Sequence, residues 1–354
     1  MFDTYDFSRI NANNKIKMQQ VIDFLEDSNL SVDDDVEYFL IARSGQEIIG
    51  CGGLAGNVLK SINVSPKLRG NGFSLKLLTE LVNFAYEMGQ FNLFLFTKPE
   101  NEETFGQAGF FSIARVNDKV TLMENSSNRI NEYCNELSTQ RKEGEKIGSI
   151  VMNANPFTLG HQYLVREAAK SCDWLHLFIV RADRSYFSFH ERLTMIKEGI
   201  CDIENVTIHH GSDYMISRAT FPSYFIKEKG MIDYCHTAID LQLFRNHIAP
   251  SLGITDRFVG TEPFCTVTNF YNEQMEYWLN TEDISNKPVN YCEIKRISVD
   301  KVPISASRVR ALLAQGNLSE VKRLVPESTY EHICKYHQKK STISKLITNS
   351  FVAA

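Results

Sequence analysis

The chain has 354 residues, of which 43% are hydrophobic and 23% charged, and its formal net charge is −5. This length suits two or three domains of about 100–200 residues each, and the charge excludes a strongly basic nucleic-acid surface and a long acidic tail. The eight cysteines occur without a C-x-x-C pair or histidines at zinc spacing, which predicts free thiols and no protein-bound metal.

The N-terminal part of the chain predicts a mixed α/β domain over residues 1–125. Its first residues carry acidic side chains and no apolar core, unlike a signal peptide, and the apolar runs are too short to span a bilayer. We therefore expect a cytoplasmic protein that binds neither a membrane nor nucleic acid. Hydrophobic periodicity predicts helices over 16–25 and 74–86. We also predict strands over 36–42, 47–54, 61–64 and 92–96, and a closing helix and turn over 105–111.

A glycine-rich loop between the strand 61–64 and the next helix is the candidate binding site of this first domain. Gly70 and Gly72 would let backbone N–H groups face a ligand at a helix start that favours anions. Arg69 is well placed for a pyrophosphate, and the alternative is a glycine-rich turn that only enters a core helix. The candidate binding residues of this loop are Val64, Arg69, Gly70, Asn71, Gly72 and Ser74.

Residues 126–146 are polar and predict a linker with one helical piece. Residues 341–354 form a tail without a clear partner.

Strands and helices alternate in residues 147–340, which lie between the linker and the tail. We predict helices over 160–171 and 188–200, and strands over 147–152, 174–180, 206–210, 257–259 and 291–297. This alternation indicates a parallel sheet, which binds ligands at the carboxyl ends of its strands.

The turn after the strand 147–152 has an unusual composition, Asn153-Ala-Asn-Pro-Phe-Thr-Leu-Gly-His161. Pro156 stops the strand, and Gly160 lets a ligand approach the backbone. His161 falls in the first turn of a helix whose free N–H groups favour anions. The backbone N–H groups, the imidazole of His161 and the hydroxyl of Thr158 together predict a phosphate site. In the alternative, Thr158 only caps the helix and His161 is a surface residue.

A second motif stands near the C-terminus, Val302-Pro-Ile-Ser-Ala-Ser-Arg-Val-Arg310. Ser305 or Ser307 can cap a helix that begins there, and Arg310 lies about one turn after Ser307. A capped helix start with a nearby arginine suits the outer phosphates of a nucleotide. The alternative is a capped surface helix with a solvated arginine.

Together the two motifs resemble those of the nucleotidylyltransferase superfamily, (H/T)-x-G-H followed by I-S-x-(S/T)-x-x-R. The segment 187–192, FSFHER, also resembles that superfamily's F-S-x-x-E-R helix start. The resemblance implies a Rossmann-like domain with a parallel sheet, in which His161 stabilises the α-phosphate of ATP, aided by Thr158, and Mg²⁺ is carried with ATP. It implies ATP contacts from Asn155, Phe157, Gly160, Arg181, Arg184, Gly260, Thr261, Glu262, Ser305, Ser307 and Arg310.

In the first domain, Arg69-x-x-Gly72-x-Ser74 resembles the acyl-CoA loop of the GNAT acetyltransferases, R/Q-x-x-G-x-G/A. Serine stands at the last small position. The segment 105–111, FGQAGFF, resembles the closing F-x-x-x-G-F of the same fold. The resemblance implies that a CoA-like arm binds this loop.

The order of the two domains, with the segments 211–225 and 258–272, resembles the [citrate (pro-3S)-lyase] ligase family over about residues 1–340. The resemblance implies that ATP and acetate form acetyl-AMP, with release of pyrophosphate. Acetyl-AMP would then acetylate the thiol of the dephospho-CoA-derived prosthetic group on the acyl-carrier (gamma) subunit of citrate lyase, releasing AMP. Arg218 is expected to steer a carboxylate or phosphate, and a surface ion pair is its alternative.

Two other interpretations remain open at this point. One is a pantetheine-phosphate or nicotinamide-mononucleotide-type adenylyltransferase with an added domain. The other is a GNAT protein acetyltransferase or acyl-CoA sensor whose second domain only binds nucleotide.

Overall fold

The computed structural model describes residues 5–181, 185–215, 221, 224–226, 229–262, 266–282, 284 and 286–335. Contacts divide the chain into two compact units. Unit 1 is Met1–Glu136 with Ile216–His247, and unit 2 is Leu137–Met215 with Ile248–Ala354. The domains predicted from the sequence, 1–125 and 147–340, do not include this second segment of unit 1, Ile216–His247.

Within these ranges the chain forms fourteen strands, the eleven α-helices given below and a further helical segment over 327–335. The strands are β1 (Asp6–Asn11), β2 (Tyr38–Ser44), β3 (Glu47–Ala55), β4 (Val58–Val64), β5 (Phe94–Thr97), β6 (Phe111–Val116), β7 (Val120–Glu124), β8 (Ile147–Met152), β9 (Trp174–Ile179), β10 (Val206–His210), β11 (Asp256–Gly260), β12 (Asn290–Ile294), β13 (Ser298–Val299) and β14 (Val302–Pro303). The helices are α1 (Lys15–Glu26), α2 (Phe73–Glu87), α3 (Glu102–Gln107), α4 (Arg129–Ser138), α5 (Leu159–Lys170), α6 (Phe189–Gly199), α7 (Lys229–Leu243), α8 (Ala249–Leu252), α9 (Thr266–Asn280), α10 (Ala306–Ala314) and α11 (Leu318–Lys322). None of the helices in the described residues is both long and apolar enough to cross a bilayer.

Unit 1 is built on a seven-stranded sheet with the order β1-β2-β3-β4-β5-β7-β6. Its strands alternate side chains between two faces, and each face packs against a helix. On one face Leu40 and Ala42 of β2 join the core beneath α2, whereas Phe39 and Ile41 face α1. The result is the mixed α/β layering that the sequence predicts for this part.

The strands β4 and β5 are parallel neighbours within this otherwise antiparallel sheet. They are joined at Val58–Phe94 and Leu59–Leu95, near the start of both strands. The described pairing between them ends there, although both strands continue. Unit 1 thus has a gap between two strands of its sheet.

Unit 2 contains the parallel sheet that the alternating pattern predicts, with the order β10-β9-β8-β11-β12 and every neighbouring pair parallel. Strands β8 and β11 meet at the centre, where the strand order reverses. One face of the sheet forms a core with α5, α6 and α10, including Ile150, Met152, Leu175, Leu177, Val165, Ile196 and Val309. The crevice at the carboxyl ends of β8 and β11 is where such sheets bind ligands.

Candidate active site

The turn between β8 and α5 holds His161 in a defined orientation. Thr158 is the N-cap of α5, and its side-chain oxygen accepts a hydrogen bond from the backbone N–H of His161 at 3.3 Å. In return the backbone N–H of Thr158 donates to Nδ1 of His161 at 3.1 Å. The arrangement is a capping box in which histidine takes the place usually filled by glutamate or glutamine. Thr158 therefore caps the helix and also anchors the imidazole.

This anchoring fixes the protonation of the ring. Because Nδ1 of His161 accepts an amide proton, the neutral imidazole carries its own proton on Nε2. Burial lowers the pKa of His161 to about 4, and the charge of Arg296 acts in the same direction. The ring stacks on the buried ring of Phe157, with centroids 5.9 Å apart. At neutral pH His161 is therefore an uncharged N–H donor.

Two further side chains fix the rest of the turn. Arg192 of α6 is fully buried, and its Nη1 donates to the carbonyl of Asn153 at 2.7 Å and to the carbonyl of Val180 at 2.9 Å. Oδ1 of Asn155 accepts from the backbone N–H of Phe187 at 3.1 Å. Asn155 is followed by a cis peptide bond to Pro156. The predicted ATP contacts Asn155 and Phe157 thus lie in the buried interior of the turn.

The segment 187–192 forms the helix start that its sequence predicts. Ser188 is the N-cap of α6 and forms a capping box with Glu191. This places Arg192, one residue later, beneath the turn at residues 153–158. The motif therefore supports the site by holding its backbone.

The second motif joins the first through Arg310. Ser305 is the N-cap of α10 and accepts from the backbone N–H of Arg308 at 3.2 Å, which decides between the two capping candidates. Ser307 lies exposed in the first turn of the helix. The guanidinium of Arg310 donates to the carbonyl of Asn155 at 2.6 Å and to the hydroxyl of Ser307 at 3.2 Å. One arginine therefore ties the two helix starts together.

The close approach of the two motifs also explains Gly160. A Cβ atom at this position would lie 3.3 Å from the carbonyl oxygen of Ile304. Glycine therefore keeps the start of α5 against the segment that leads into α10.

A cavity of about 210 Å³ opens between these helix starts and the ends of β11 and β12. Seven residues predicted from the sequence line it: Thr158, Gly160, His161, Gly260, Glu262, Ser305 and Ser307. Ile294 and Ile304 contribute apolar side chains to the lining, and Thr158, His161, Ser305 and Ser307 contribute polar side chains at the two helix starts. The cavity thus offers a place for a flat apolar group beside a place for anions.

The sequence motifs do not point to Arg296, which also lines the cavity. Its Nη2 lies 2.8 Å from Oε2 of Glu262, whose side chain is 7% exposed. Its backbone N–H donates to the hydroxyl of Thr261 at 3.1 Å. Thr261 therefore joins the ends of β11 and β12. The pair Lys295-Arg296, directly after a strand at the carboxyl edge of the sheet, is the signal that could have revealed this residue.

Of the predicted arginines Arg181, Arg184 and Arg218, only Arg181 is described, and it does not line this cavity. Arg181 lies exposed after β9. Arg184 and Arg218 fall outside the residues that the structure describes. The phosphate and carboxylate contacts assigned to these three residues stay predictions.

In unit 1 the predicted anion site is the glycine-rich loop between β4 and α2. Gly70 and Gly72 have φ values of 81° and 73°, in the left-handed region that favours glycine. Gly72 is the N-cap of α2, so the first N–H groups of that helix have no capping side chain at this position. Arg69 donates to the carbonyl of Val64 at 3.1 Å. Asn71 is exposed and Ser74 half-buried.

Two family models match the chain, and the more C-terminal of them also covers residues 216–247, which belong to unit 1. Residues 147–333 match the family model "Citrate lyase ligase C-terminal domain", and residues 4–110 match "Acetyltransferase (GNAT) family". The "[Citrate [pro-3S]-lyase] ligase" of Escherichia coli (strain K12) is 48% identical over 94% of this chain and 95% of its own length. The protein of the same name from Klebsiella pneumoniae is 52% identical over 89% of this chain and 92% of its own length.

A more distant similarity covers just over half of the chain. The "Phosphopantetheine adenylyltransferase" of Streptococcus equi subsp. zooepidemicus (strain H70) is 22% identical over 56% of this chain and 98% of its own length. The two ligases match 89–94% of this chain and 92–95% of their own length, and in this chain the GNAT match precedes the match to the citrate lyase ligase C-terminal domain. On this basis the chain belongs to the [citrate [pro-3S]-lyase] ligase family.

Proposed function

We propose that this chain is an ATP-dependent ligase that acetylates the prosthetic-group thiol of the citrate lyase acyl-carrier subunit through acetyl-AMP. Family membership gives the reaction class, a ligase. The observation that carries the adenylation step is the joined pair of helix starts. There a neutral, oriented His161 lines one cavity with Ser305 and Ser307.

The cavity suits ATP in a definite direction. The adenosine would lie against Ile294 and Ile304, and the triphosphate would point toward the N-termini of α5 and α10, which favour anions. Among the described residues no cluster of three or more His, Cys, Asp or Glu could hold a metal ion. We propose that Mg²⁺ arrives with the triphosphate and neutralises part of its charge.

The first chemical step is an in-line substitution at the α-phosphorus. A carboxylate oxygen of acetate forms a bond to this phosphorus, and the bond to the bridging oxygen of pyrophosphate breaks. Nε2–H of His161 would donate to an α-phosphate oxygen as negative charge increases there. Ser307 and Arg310 would hold the outer phosphates and so keep the leaving group in line.

The second step transfers the acetyl group. The sulfur of the carrier thiol attacks the carbonyl carbon of acetyl-AMP, AMP leaves with the electrons of the broken C–O bond, and the thiol proton passes to solvent. The glycine-rich loop of unit 1 would hold the phosphates of the dephospho-CoA-derived arm at the start of α2. We also propose a cytoplasmic location, which is consistent with citrate lyase as the partner.

One incubation tests the function. The protein is mixed with ATP, Mg²⁺ and labelled acetate, with and without deacetylated citrate lyase. We expect AMP and pyrophosphate, with label on the acyl-carrier subunit. An adenylyltransferase would instead release pyrophosphate with phosphopantetheine and without acetate, and an acetyltransferase would take label from acetyl-CoA without ATP. Failure to label the lyase from ATP and acetate would contradict the proposal.

A further inference from the structure

The cavity beside His161 has to hold a second anion besides ATP if a carboxylate is adenylated there. A carboxylate and the α-phosphate are both negative, and they repel each other at the short distance that in-line attack requires. The protein must therefore supply a cation close to the α-phosphate. Among the described residues that line the cavity, only Lys295 and Arg296 have positively charged side chains. Lys295 is exposed, whereas the side chain of Arg296 is 26% exposed and ion-paired.

Three contacts fix Arg296 at the carboxyl edge of the parallel sheet. Its Nη2 lies 2.8 Å from Oε2 of Glu262, whose side chain is 7% exposed. Its backbone N–H donates to the hydroxyl of Thr261 at 3.1 Å. A Cβ atom placed on Gly260 would lie 3.5 Å from both Cγ and Nε of Arg296, so the arginine stem passes close to the end of β11. The side chain is thus positioned before a ligand arrives.

The guanidinium of Arg296 keeps hydrogen-bond donors for a ligand. An arginine carries five N–H donors in a planar fork. Within the described part of the chain, Nη2 is paired with Glu262, and Nε and Nη1 have no protein acceptor. Such a fork binds a carboxylate through two parallel hydrogen bonds. Arg296 can therefore bind a small carboxylate while it stays paired with Glu262.

Arg296 also interacts with His161, which lines the same cavity. The positive charge of Arg296 adds to the effect of burial in lowering the pKa of His161. Because His161 is the proposed donor to the α-phosphate, a carboxylate on Arg296 would lie near the phosphorus that it attacks. Glu262 offsets part of the positive charge, so the fork geometry of the guanidinium, and not charge alone, would hold the carboxylate.

We propose that Arg296 binds the carboxylate of acetate during adenylation, with Glu262 as its anchor. One carboxylate oxygen forms the bond to the α-phosphorus while the bond to pyrophosphate breaks, and the guanidinium holds the other oxygen. In acetyl-AMP the acetyl group carries no charge, so its ion pair with Arg296 is lost and the carbonyl carbon becomes available to the thiol. The proposal rests on the function proposed above, since it assigns the acetate site of that reaction.

Acetate-dependent exchange of labelled pyrophosphate into ATP tests this assignment with the full-length protein. The wild type is compared with Arg296→Gln, Arg296→Lys and the control Arg323→Gln, and thermal melting checks folding. Arg323 is also ion-paired, but it lies at the surface and does not line the cavity.

We expect Arg296→Gln to raise the KM for acetate about 10- to 100-fold, the loss that corresponds to hydrogen bonds between charged groups, and to change the dissociation constant of ATP less than about twofold. Arg296→Lys keeps the charge without the fork, so its KM for acetate should lie between those of Arg296→Gln and the wild type. Arg323→Gln should behave like the wild type. A normal KM for acetate in folded Arg296→Gln would overturn the proposal, and so would an equally large loss of ATP binding.

A second measurement needs no variant. Phenylglyoxal modifies arginine side chains, and mass spectrometry locates the modified residues. Modification of Arg296 in the wild type should decrease when acetate is added to protein already saturated with α,β-methylene-ATP. Equal modification of Arg296 with and without acetate would also overturn the proposal.

The exchange assay separates this proposal from the ligase function. Exchange by the wild type that does not require acetate would contradict the ligase function, and the assignment of Arg296 with it. Exchange that requires acetate, with an unchanged KM for acetate in Arg296→Gln, would contradict only the assignment of Arg296.

Discussion

The turn after β8 and the glycine-rich loop after β4 both lead from a strand into the start of a helix, yet they are built differently. In unit 2 the turn is fixed by buried Arg192, by Arg310 and by the Thr158–His161 capping box. In unit 1 Gly70 and Gly72 are exposed and adopt left-handed backbone conformations.

The difference between the turn after β8 and the glycine-rich loop after β4 corresponds to the different functions proposed for them. A group that stabilises a transition state must be held close to its productive position before the substrate arrives. A loop that only binds phosphates can present backbone N–H groups without such support. We therefore expect substitutions in the turn of unit 2 to lower the rate of adenylation, and substitutions in the loop of unit 1 to weaken binding of the carrier arm.

The largest effect is expected for His161→Ala. Loss of one preorganised donor to the α-phosphate should lower kcat for acetate-dependent AMP formation by about 10²–10³. The matched control is His190→Ala, since His190 is an exposed histidine early in α6 and does not line the cavity. If His161→Ala and His190→Ala lowered kcat by similar factors, His161 would not act as an oriented catalytic donor.

Arg310→Ala should have the next largest effect, because Arg310 joins the carbonyl of Asn155 to Ser307. Loss of hydrogen bonds from a charged donor should lower kcat/KM for ATP by about 10- to 100-fold. Arg323→Ala is the control, since Arg323 is 47% exposed and pairs with Asp300 and Glu320 at the surface. A normal kcat/KM in Arg310→Ala would show that the two motifs need no such link.

The free energy of unfolding should depend on pH because the pKa values of three histidines of unit 2 are lowered in the folded protein. Burial lowers the pKa of His161 to about 4, of His176 to about 3 and of His209 to about 4, and His176 bonds to His209 at 2.8 Å. Unfolded histidine binds its proton near pH 6.5, so unfolding takes up protons between about pH 6.5 and 4. The free energy of unfolding should therefore decrease as the pH falls through this window, by at most about 1.4 kcal/mol per pH unit for each histidine.

Urea denaturation at pH 7, 6, 5 and 4.5 measures this decrease. A His209→Gln variant should have a shallower dependence, since one of the contributing groups is gone. An unchanged slope in this variant would contradict the assignment. Because His161 stays neutral above about pH 5, its protonation should not limit activity between pH 5 and 8.

The smallest effect is expected in the loop of unit 1. Gly72→Trp forces a large side chain onto a left-handed position, and it should raise the KM for the carrier thiol about three- to tenfold while acetyl-AMP formation continues. Gly89→Trp is the matched control, because Gly89 has a φ of 78° and follows the opposite end of α2. Equal KM values in both variants would place the arm elsewhere.

The sequence predicted those parts of the site that local chemistry determines. Caps such as Thr158, Ser188 and Ser305 are set by a few neighbouring residues, and the strand 147–152 by its apolar side chains. Pairing of the two motifs could be inferred only by resemblance, since Arg310 reaches Asn155 across a long stretch of chain.

Other features depend on contacts that no local pattern encodes. The side chain of Arg296, which follows β12, is positioned by an ion pair with Glu262, which follows β11. Ile216–His247 joins unit 1 after the chain has already built much of unit 2, which periodicity alone does not reveal. Strands β1, β6 and β7 and helix α7 were likewise not among the predicted elements, because tertiary packing completes their burial.

The most direct test of the account is acetate-dependent exchange of labelled pyrophosphate into ATP, with no citrate lyase present. The assay isolates acetyl-AMP formation, the step assigned to the cavity beside His161 in unit 2. We predict exchange that requires acetate, nearly vanishes in His161→Ala and persists in Gly72→Trp. Exchange that does not depend on acetate, or that is equally fast in His161→Ala, would contradict this prediction.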